Sequence, residues 1–182
     1  MKTIITTILL LLASTCFSQD YVIKSNGDTL FGDITMGAYK KGKSSSVKLK
    51  TAKKRTYNFN TASSKKLRHD GFDYQVHLLT PEKPKKKDRD FMKVLLSDGT
   101  NSICYHRIVS ASGGGMYGAA VTNNFKYYLF KGDKFVEYLK NGNAKKLIQQ
   151  YFGSCSKTME VIASMKKVKV HKMEQLFNGK CE

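Results

Sequence analysis

Three glycines in the stretch SASGGGMYGAAV, residues 110–121, have the spacing of a dinucleotide-binding loop. Gly113, Gly115 and Gly118 match the pattern Gly-x-Gly-x-x-Gly. Such a loop must follow a strand and begin a helix, because the helix N-terminus binds the pyrophosphate. Here the next residues run directly into the strand-like FKYYLF, which leaves no room for that helix. The sequence therefore predicts a flexible connection between two strands and no nucleotide cofactor.

Cys104 and His106 are the second pair of residues whose types could perform chemistry. They are two residues apart on a predicted strand, so their side chains point to the same face. A thiol beside an imidazole can act as a nucleophile. Two-residue separation along a strand rarely gives the direct contact that a catalytic dyad needs, and no family-type motif surrounds the cysteine. The favoured interpretation is a small buried thiol, and we assign no catalytic residue.

Metal ligands and paired carboxylates are also weakly supported. His69 and Asp70 form half of a metal-binding pair, but the sequence shows no further ligands at zinc-site spacing. His77 falls on the polar side of an alternating strand, which predicts that it points to water. No two carboxylates are identified as an acid and base pair, and we predict no metal site. Six aspartates are interpreted as turn or loop residues: Asp28, Asp33, Asp70, Asp73, Asp88 and Asp90.

The N-terminal residues 1–18 have the features of a secretory signal peptide. A single charge at Lys2 precedes an apolar run from Ile4 to Ala13, and small residues place cleavage after Ser18. The run is shorter than the roughly 20 apolar residues that span a bilayer. Thr15 disfavours lipidation of Cys16. With no later transmembrane segment, we expect an exported protein that is periplasmic, outer-membrane-associated or secreted.

The chain is strongly basic, with a formal net charge of +18. An exported protein with this charge can meet lipid phosphates, acidic polysaccharide or nucleic acid. Lysines greatly outnumber arginines, whereas bidentate recognition of phosphate or guanine favours the guanidinium group. We therefore predict no specific nucleic-acid binding, and the simplest interpretation of the excess lysine is a solvated surface.

The uneven distribution of charge favours an anionic partner. The sequence contains no Asp or Glu between Ile34 and His69, but it has eleven Lys or Arg there, and a second basic cluster follows at residues 85–87. These two segments predict a possible anion-binding set: Lys40, Lys41, Lys43, Lys48, Lys50, Lys53, Lys54, Arg55, Lys85, Lys86 and Lys87.

The pattern of apolar residues predicts an α+β fold, with an antiparallel β-rich body at 19–140 and a helical tail at 141–182 packed on it. Runs such as VKLKT, TYNFN and FDYQVHLL alternate with the period of a half-buried strand. Turns at Asn26-Gly27, Asp98-Gly99 and Gly132-Asp133 predict three hairpins. The body is expected to be barrel- or sandwich-like.

The tail has a helical period instead. NAKKLIQQYFG places apolar residues on one helical face and stops at Gly153. Ser154 or Ser156 is predicted to cap a second helix, and a third short helix follows. Three cysteines remain after signal removal, at 104, 155 and 181, and spacing alone leaves three pairings open.

The chain resembles a group of uncharacterised secreted proteins from Bacteroidetes. The resemblance rests on QDYVIKSNGDTLFGDI at the predicted mature start, on FMKVLLSDGTNSICY, and on YFGSCSKTMEVI and LFNGKCE in the tail. This chain departs from the group at Ser156, where a proline is expected, and at Phe177, where a tyrosine is common. The resemblance implies export and a Cys155–Cys181 bridge, and it implies no known activity.

Three functional hypotheses follow. The first is a non-catalytic binding or assembly module of the cell envelope, with an envelope protein as a partner. The second is a binder of anionic envelope polymer or lipid head groups through the lysine-rich segment. The third is a hydrolase whose groups converge only in three dimensions. Lysines gathered on one face would favour the second hypothesis, and a cleft with paired carboxylates, or with a thiol and a histidine, would favour the third.

Overall fold

The structure is a computed structural model that describes residues 19–37, 45–81, 88–112, 120–177 and 181. The strands are β1 (Tyr21–Lys24), β2 (Thr29–Phe31), β3 (Asp33–Met36), β4 (Val47–Lys50), β5 (Thr56–Phe59), β6 (Ser64–His69), β7 (Phe72–Leu78), β8 (Arg89–Ser97), β9 (Asn101–Ser112), β10 (Ala120–Lys131) and β11 (Lys134–Tyr138). The helices are α1 (Ala144–Tyr151), α2 (Ser156–Ala163) and α3 (Met173–Leu176), and a 3-10 turn covers Val170–Lys172. This order confirms the predicted α+β fold with a small helical C-terminus.

The larger sheet has eight antiparallel strands in the order β11-β10-β9-β8-β7-β6-β1-β2. It contains the three predicted hairpins, β1–β2, β8–β9 and β10–β11. Each hairpin turns at a glycine with positive φ, at 96° for Gly27, 90° for Gly99 and 55° for Gly132. Glycine adopts these angles without a Cβ clash, which is why these three dipeptides predict the turns correctly.

The glycine-rich stretch connects two strands of this sheet. β9 ends at Ser112 and β10 begins at Ala120, and these two residues are antiparallel partners. Gly113, Gly115 and Gly118 themselves lie outside the described residues. A strand rather than a helix follows them, so the helix N-terminus that a dinucleotide loop needs is not there.

The smaller sheet consists of β3, β4 and β5, with β4 in the centre. Its strands alternate as predicted, and Val47 and Leu49 of β4 are buried while the two lysines of that strand are exposed. The buried side packs against the larger sheet in one hydrophobic cluster. That cluster contains Val22, Ile34, Val47, Leu49, Phe59, Leu67 and Phe91.

The larger sheet is strongly curled, as in a partly closed barrel. His77 on β7 stacks on Phe130 on β10, with ring centroids 3.8 Å apart and planes 13° from parallel. Two strands lie between β7 and β10, so a flat sheet would hold them about 14 Å apart. A register shift at Val94/Leu96 in β8 adds a bulge, and bulges bend a strand and increase its twist.

The helical tail packs on one face of the larger sheet. Ile103 and Leu129 of the sheet share a core with Leu147 and Ile148 of α1 and Ile162 of α2. The neighbouring strand residues on β9 and β10, which point the other way, form a separate cluster inside the curl. That cluster contains Leu79, Met92, Val94, Cys104, Tyr128 and Phe130.

The predicted cap of α2 was wrong. Its N-cap is Cys155, and no side chain makes a capping hydrogen bond there. The chain turns into α2 through a bond from the Cys155 N–H to the Phe152 carbonyl. Cys155 is completely buried, and neither Ser154 nor Ser156 caps the helix.

Candidate functional site

Five of the predicted anion-binding residues lie together on the smaller sheet. Lys48 and Lys50 are exposed on β4, and Lys53, Lys54 and Arg55 are exposed in the turn between β4 and β5. We call these five residues the basic face. The other six predicted positions lie outside the described residues: Lys40, Lys41, Lys43, Lys85, Lys86 and Lys87.

The local sequence dictates this arrangement. Successive side chains of a strand point to opposite faces, so burying Val47 and Leu49 forces Lys48 and Lys50 outward. The turn is held by a hydrogen bond from the Thr51 N–H to the Arg55 carbonyl at 3.0 Å. Its tight geometry places Lys54 at a φ of 59°, which is uncommon for a non-glycine residue.

The basic face has little compensating charge. The residues directly opposite the two strand lysines are Asp33, Thr35, Thr56 and Asn58. Asp33 is the only carboxylate in this described set. None of the five cations forms an ion pair with a carboxylate of the described residues. Exposed, unpaired cations of one sign raise the local concentration of anions.

The rest of the basic run serves other purposes. Arg68 on β6 lies opposite Asp73 on β7, and Lys66 on β6 reaches the same carboxylate diagonally; the nitrogen–oxygen distances are 3.6 Å for Arg68 and 3.0 Å for Lys66. Asp73 therefore lies in a strand and pairs with cations, and its interpretation as a turn or loop residue was wrong. Asp33 also begins a strand, so the same correction applies to it.

A buried polar network inside the protein was missed by the sequence analysis. Asp90 lies in β8 and is completely buried, so its interpretation as a turn or loop carboxylate was wrong. Its carboxylate accepts bonds from the Ser45 N–H at 2.9 Å and the Ser45 hydroxyl at 3.0 Å. His106 Nε2 lies 2.7 Å from the same carboxylate. Asp90 is separated from Ser45 by 45 residues, so only the sheet topology brings them together.

This network consists of three side chains that are at most 6% exposed. The Ser45 hydroxyl and His106 Nε2 both bond to Asp90 Oδ2, so the serine donates to the carboxylate, whereas in a catalytic triad it donates to the imidazole. The arrangement satisfies a buried charge with hydrogen bonds, as a structural network does. It ties the chain just before β4 to the larger sheet.

Cys104 is a buried core residue. Its side chain is 0% exposed, and burial raises the pKa of its thiol to about 12, with a weak opposing effect from a hydrogen bond to Ser102. A thiol is a poor nucleophile when its thiolate form is suppressed in this way. The Nε2 of His106 makes its hydrogen bond with the Asp90 carboxylate. The structure therefore agrees with the interpretation of Cys104 as a buried thiol.

His77 was predicted to point to water, and this prediction was wrong. Its side chain is 5% exposed and lies against Phe130 inside the curl of the larger sheet. Burial lowers its pKa to about 4, while Asp133 raises and Arg89 lowers that pKa to a smaller extent. His77 is therefore neutral at physiological pH, and its Nε2 lies 3.1 Å from Gln75 Oε1. In a flat sheet this face of β7 would be open to solvent, but the curl of the larger sheet encloses it.

A cleft of about 740 Å³ lies beside His77, and we call it the His77 cleft. Residues of β6, β7, β8, β10 and β11 line it, among them Lys65, Arg89, Phe130 and Lys134. A smaller cleft of about 300 Å³ also includes Lys65 and His77. Each of the two contains a single carboxylate, that of Asp133, and neither contains a thiol among the described residues. The two clefts thus do not present the paired groups that the hydrolase hypothesis requires.

The structure adds Asp20 to the His69–Asp70 pair. His69 Nδ1 lies 2.7 Å from Asp20 Oδ2, and its Nε2 lies 3.4 Å from Asp70 Oδ2. The Asp70 N–H also donates to Asp20 at 3.2 Å. One histidine and two carboxylates are a ligand set that can hold a metal ion, and without an ion the same groups form a hydrogen-bonded cluster. They attach the start of β1 to the β6–β7 turn.

The tail contains a disulfide between Cys155 and Cys181, the pairing that the resemblance implies. The Cys181 N–H donates to the Ser97 carbonyl at the end of β8, at 2.9 Å. The bridge therefore joins the start of α2 to a residue that is itself bonded to the larger sheet. Cys155 lies within the same core as α1 and Ile162.

The chain was also compared with other proteins. In the part of the chain that the structure describes, no helix combines the length and the apolar character needed to cross a membrane. Comparison with protein-family models, with curated proteins and with solved structures gave no match. The resemblance to the Bacteroidetes secreted proteins remains a prediction from the residues quoted above.

Proposed function

We propose that this chain is an exported, non-catalytic binding protein of the cell envelope, and that its basic face binds an anionic polymer or lipid head groups. The observation that supports the proposal most is that Lys48, Lys50, Lys53, Lys54 and Arg55 are all exposed within one strand and turn of the smaller sheet. If these lysines served only to keep the surface solvated, we would not expect them to cluster where a single carboxylate lies opposite them.

The chemistry of the basic face suits a repeated anion. Lys48 and Lys50 are two positions apart on one strand, so their Cα atoms are about 7 Å apart. Lysine is a compact, mobile point charge without the planar fork that recognises one phosphate in a fixed orientation. A row of such charges is adapted to a polymer or a lipid surface, where many anionic groups are available at variable spacing.

The experiment compares binding to lipopolysaccharide and to vesicles containing phosphatidylglycerol across a salt series. The test variant replaces the five residues of the basic face by glutamine. The matched control replaces five exposed lysines of the helical tail by glutamine: Lys146, Lys166, Lys167, Lys169 and Lys172. Both variants lose the same charge, so a difference between them reports position rather than net charge.

Binding that persists at about 0.15 M salt, and that is lost in the test variant but kept in the control, would support the proposal. Exposed charges are largely screened at that salt beyond about 8 Å, so a merely basic protein would dissociate. Equal loss in both variants would contradict the basic face as a site. The search would then turn to a protein partner.

A further inference from the structure

We propose that the His77 cleft binds a small organic anion with an aromatic or apolar body. The cleft lies on a different part of the chain from the basic face and has different walls. Its volume of about 740 Å³ is within the roughly 300–1,000 Å³ of small-molecule sites, which often occur at the mouths of barrels. The inference does not depend on the function proposed for the basic face.

The inner wall of the cleft is apolar and uncharged. Phe130 stacks on His77, and Phe135 meets the Phe130 ring at 70° with centroids 6.1 Å apart. Val76, Leu78 and both of these phenylalanines line the cleft. Since burial holds the pKa of His77 near 4, this imidazole is neutral and adds another flat, uncharged ring. Such a wall accommodates the apolar part of a ligand rather than its charge.

The rim of the cleft is positive. Lys65, Arg89 and Lys134 come from three different strands, β6, β8 and β11, and converge on the same opening. Asp133 is the single carboxylate among the described lining residues, so the rim has a net positive charge. Cations beside a low-dielectric wall attract a carboxylate, sulfate or phosphate more strongly than cations on an open surface do.

The wall of the cleft also contains an unsatisfied polar group. Ser64 lines the cleft and is 3% exposed, and its hydroxyl has no hydrogen-bond partner among the described residues. A buried hydroxyl without a partner is uncommon in proteins. The flat apolar wall and the cationic rim together indicate a ligand with one acidic group on an apolar body.

The test uses 8-anilinonaphthalene-1-sulfonate, an aromatic anion whose fluorescence rises in an apolar site, titrated into the mature chain. N-phenyl-1-naphthylamine, which has the same rings and no charge, is titrated in parallel. The rim variant Lys65→Gln/Lys134→Gln removes two exposed cations, and Ala62→Phe places a large ring at the exposed lining residue Ala62. The controls are Lys166→Gln/Lys167→Gln and the five-residue basic-face variant.

We expect saturable binding of one sulfonate per chain, weakened roughly tenfold by the rim variant, because each charge-assisted contact is lost. The neutral probe should be insensitive to the rim variant, and Ala62→Phe should weaken both probes. Neither control should change the binding. Failure of the unmodified chain to bind lipopolysaccharide would contradict only the function proposed above, since that experiment does not involve the cleft.

Two results would overturn the inference. One is binding of the sulfonate that does not saturate, or that is as strong in the rim and Ala62→Phe variants as in the unmodified chain. The other is equal weakening by the rim variant and by Lys166→Gln/Lys167→Gln. Thermal unfolding of every variant identifies a folding defect. If Ala62→Phe does not fold, the rim variant still tests the inference, because it changes only two exposed lysines.

Discussion

The Asp90 carboxylate lies 2.7 Å from His106 Nε2, with Asp90 0% and His106 4% exposed. The same carboxylate accepts hydrogen bonds from the backbone N–H and the hydroxyl of Ser45, two positions before the central strand of the smaller sheet. One buried charge therefore joins two strands of the larger sheet to the segment that precedes the basic face. The position of Ser45 therefore depends on Asp90, a residue that is completely buried.

Replacing Asp90 should strongly destabilise the fold. Asp90→Asn keeps the shape but replaces one acceptor oxygen by an amide donor, which opposes the donors of Ser45. Breaking one partner of a buried network costs about 3 kcal/mol or more. Urea unfolding of the variant measures this loss.

Asp33→Asn, at an exposed carboxylate, is the control and should change the free energy of unfolding by less than about 0.5 kcal/mol. A loss below about 1 kcal/mol for Asp90→Asn would contradict the structural role of the network.

The fold could be predicted from local patterns to a large extent. Alternation in VKLK and glycines 27, 99 and 132 in their turns are local features, and the strands and hairpins follow from them. The curl of the larger sheet is not local. It depends on contacts such as His77 with Phe130, which are 53 positions apart, and on bulges that leave no clear mark in the sequence.

The same limit explains which site residues were missed. The basic face is visible in the sequence because its lysines alternate with buried residues on a single hairpin. Asp90 looked like a loop residue because it follows a charged loop, and a carboxylate inside a strand is rare unless distant partners satisfy it. His77 was assigned to the wrong side because period-two alternation distinguishes two faces but not which face is enclosed.

Stability should decrease as the pH falls through the range in which His77 differs from an unfolded histidine. Its pKa is about 4 in the folded protein and about 6.5 in the unfolded chain, so the unfolded state binds more protons between these values. The effect of His77 on the free energy of unfolding is therefore most favourable above pH 6.5. It lowers that free energy by about 2 kcal/mol as the pH falls from pH 7 to pH 5. Urea unfolding at both pH values, for the unmodified chain and His77→Gln, measures it.

The variant should show a pH dependence smaller by about 2 kcal/mol, because glutamine does not titrate. His171→Gln, at an exposed histidine of the 3-10 turn, should keep the pH dependence of the unmodified chain. The same pH dependence in His77→Gln and the unmodified chain would show that folding does not lower the pKa of His77, contrary to the effect expected from its burial.

Cys104 should resist alkylation in the folded protein. Burial raises its pKa from 9.0 to about 12, so its thiolate fraction at neutral pH is about a thousandfold lower, and its sulfur is also inaccessible. We expect iodoacetamide, followed by mass spectrometry, to leave Cys104 unlabelled in the native protein and to label it in urea without reductant. Rapid labelling of Cys104 in the native state would show that the inside of the curl opens to solvent.

The disulfide should contribute about 3 to 4 kcal/mol to the stability of the tail. It closes a loop with a sequence separation of 26, and the loop-entropy model gives this magnitude. We expect Cys155→Ser/Cys181→Ser to lower the free energy of unfolding by that amount. The amide hydrogen-exchange rates should rise more in α1 and α2 than in the larger sheet. Ser156→Ala is the matched control at the first residue of α2. Because Cys155 is the N-cap and no side chain caps α2, this variant should change stability by less than about 0.5 kcal/mol. A larger loss from Ser156→Ala than from the double cysteine variant would contradict both the absence of a serine cap on α2 and the stabilising role of the bridge.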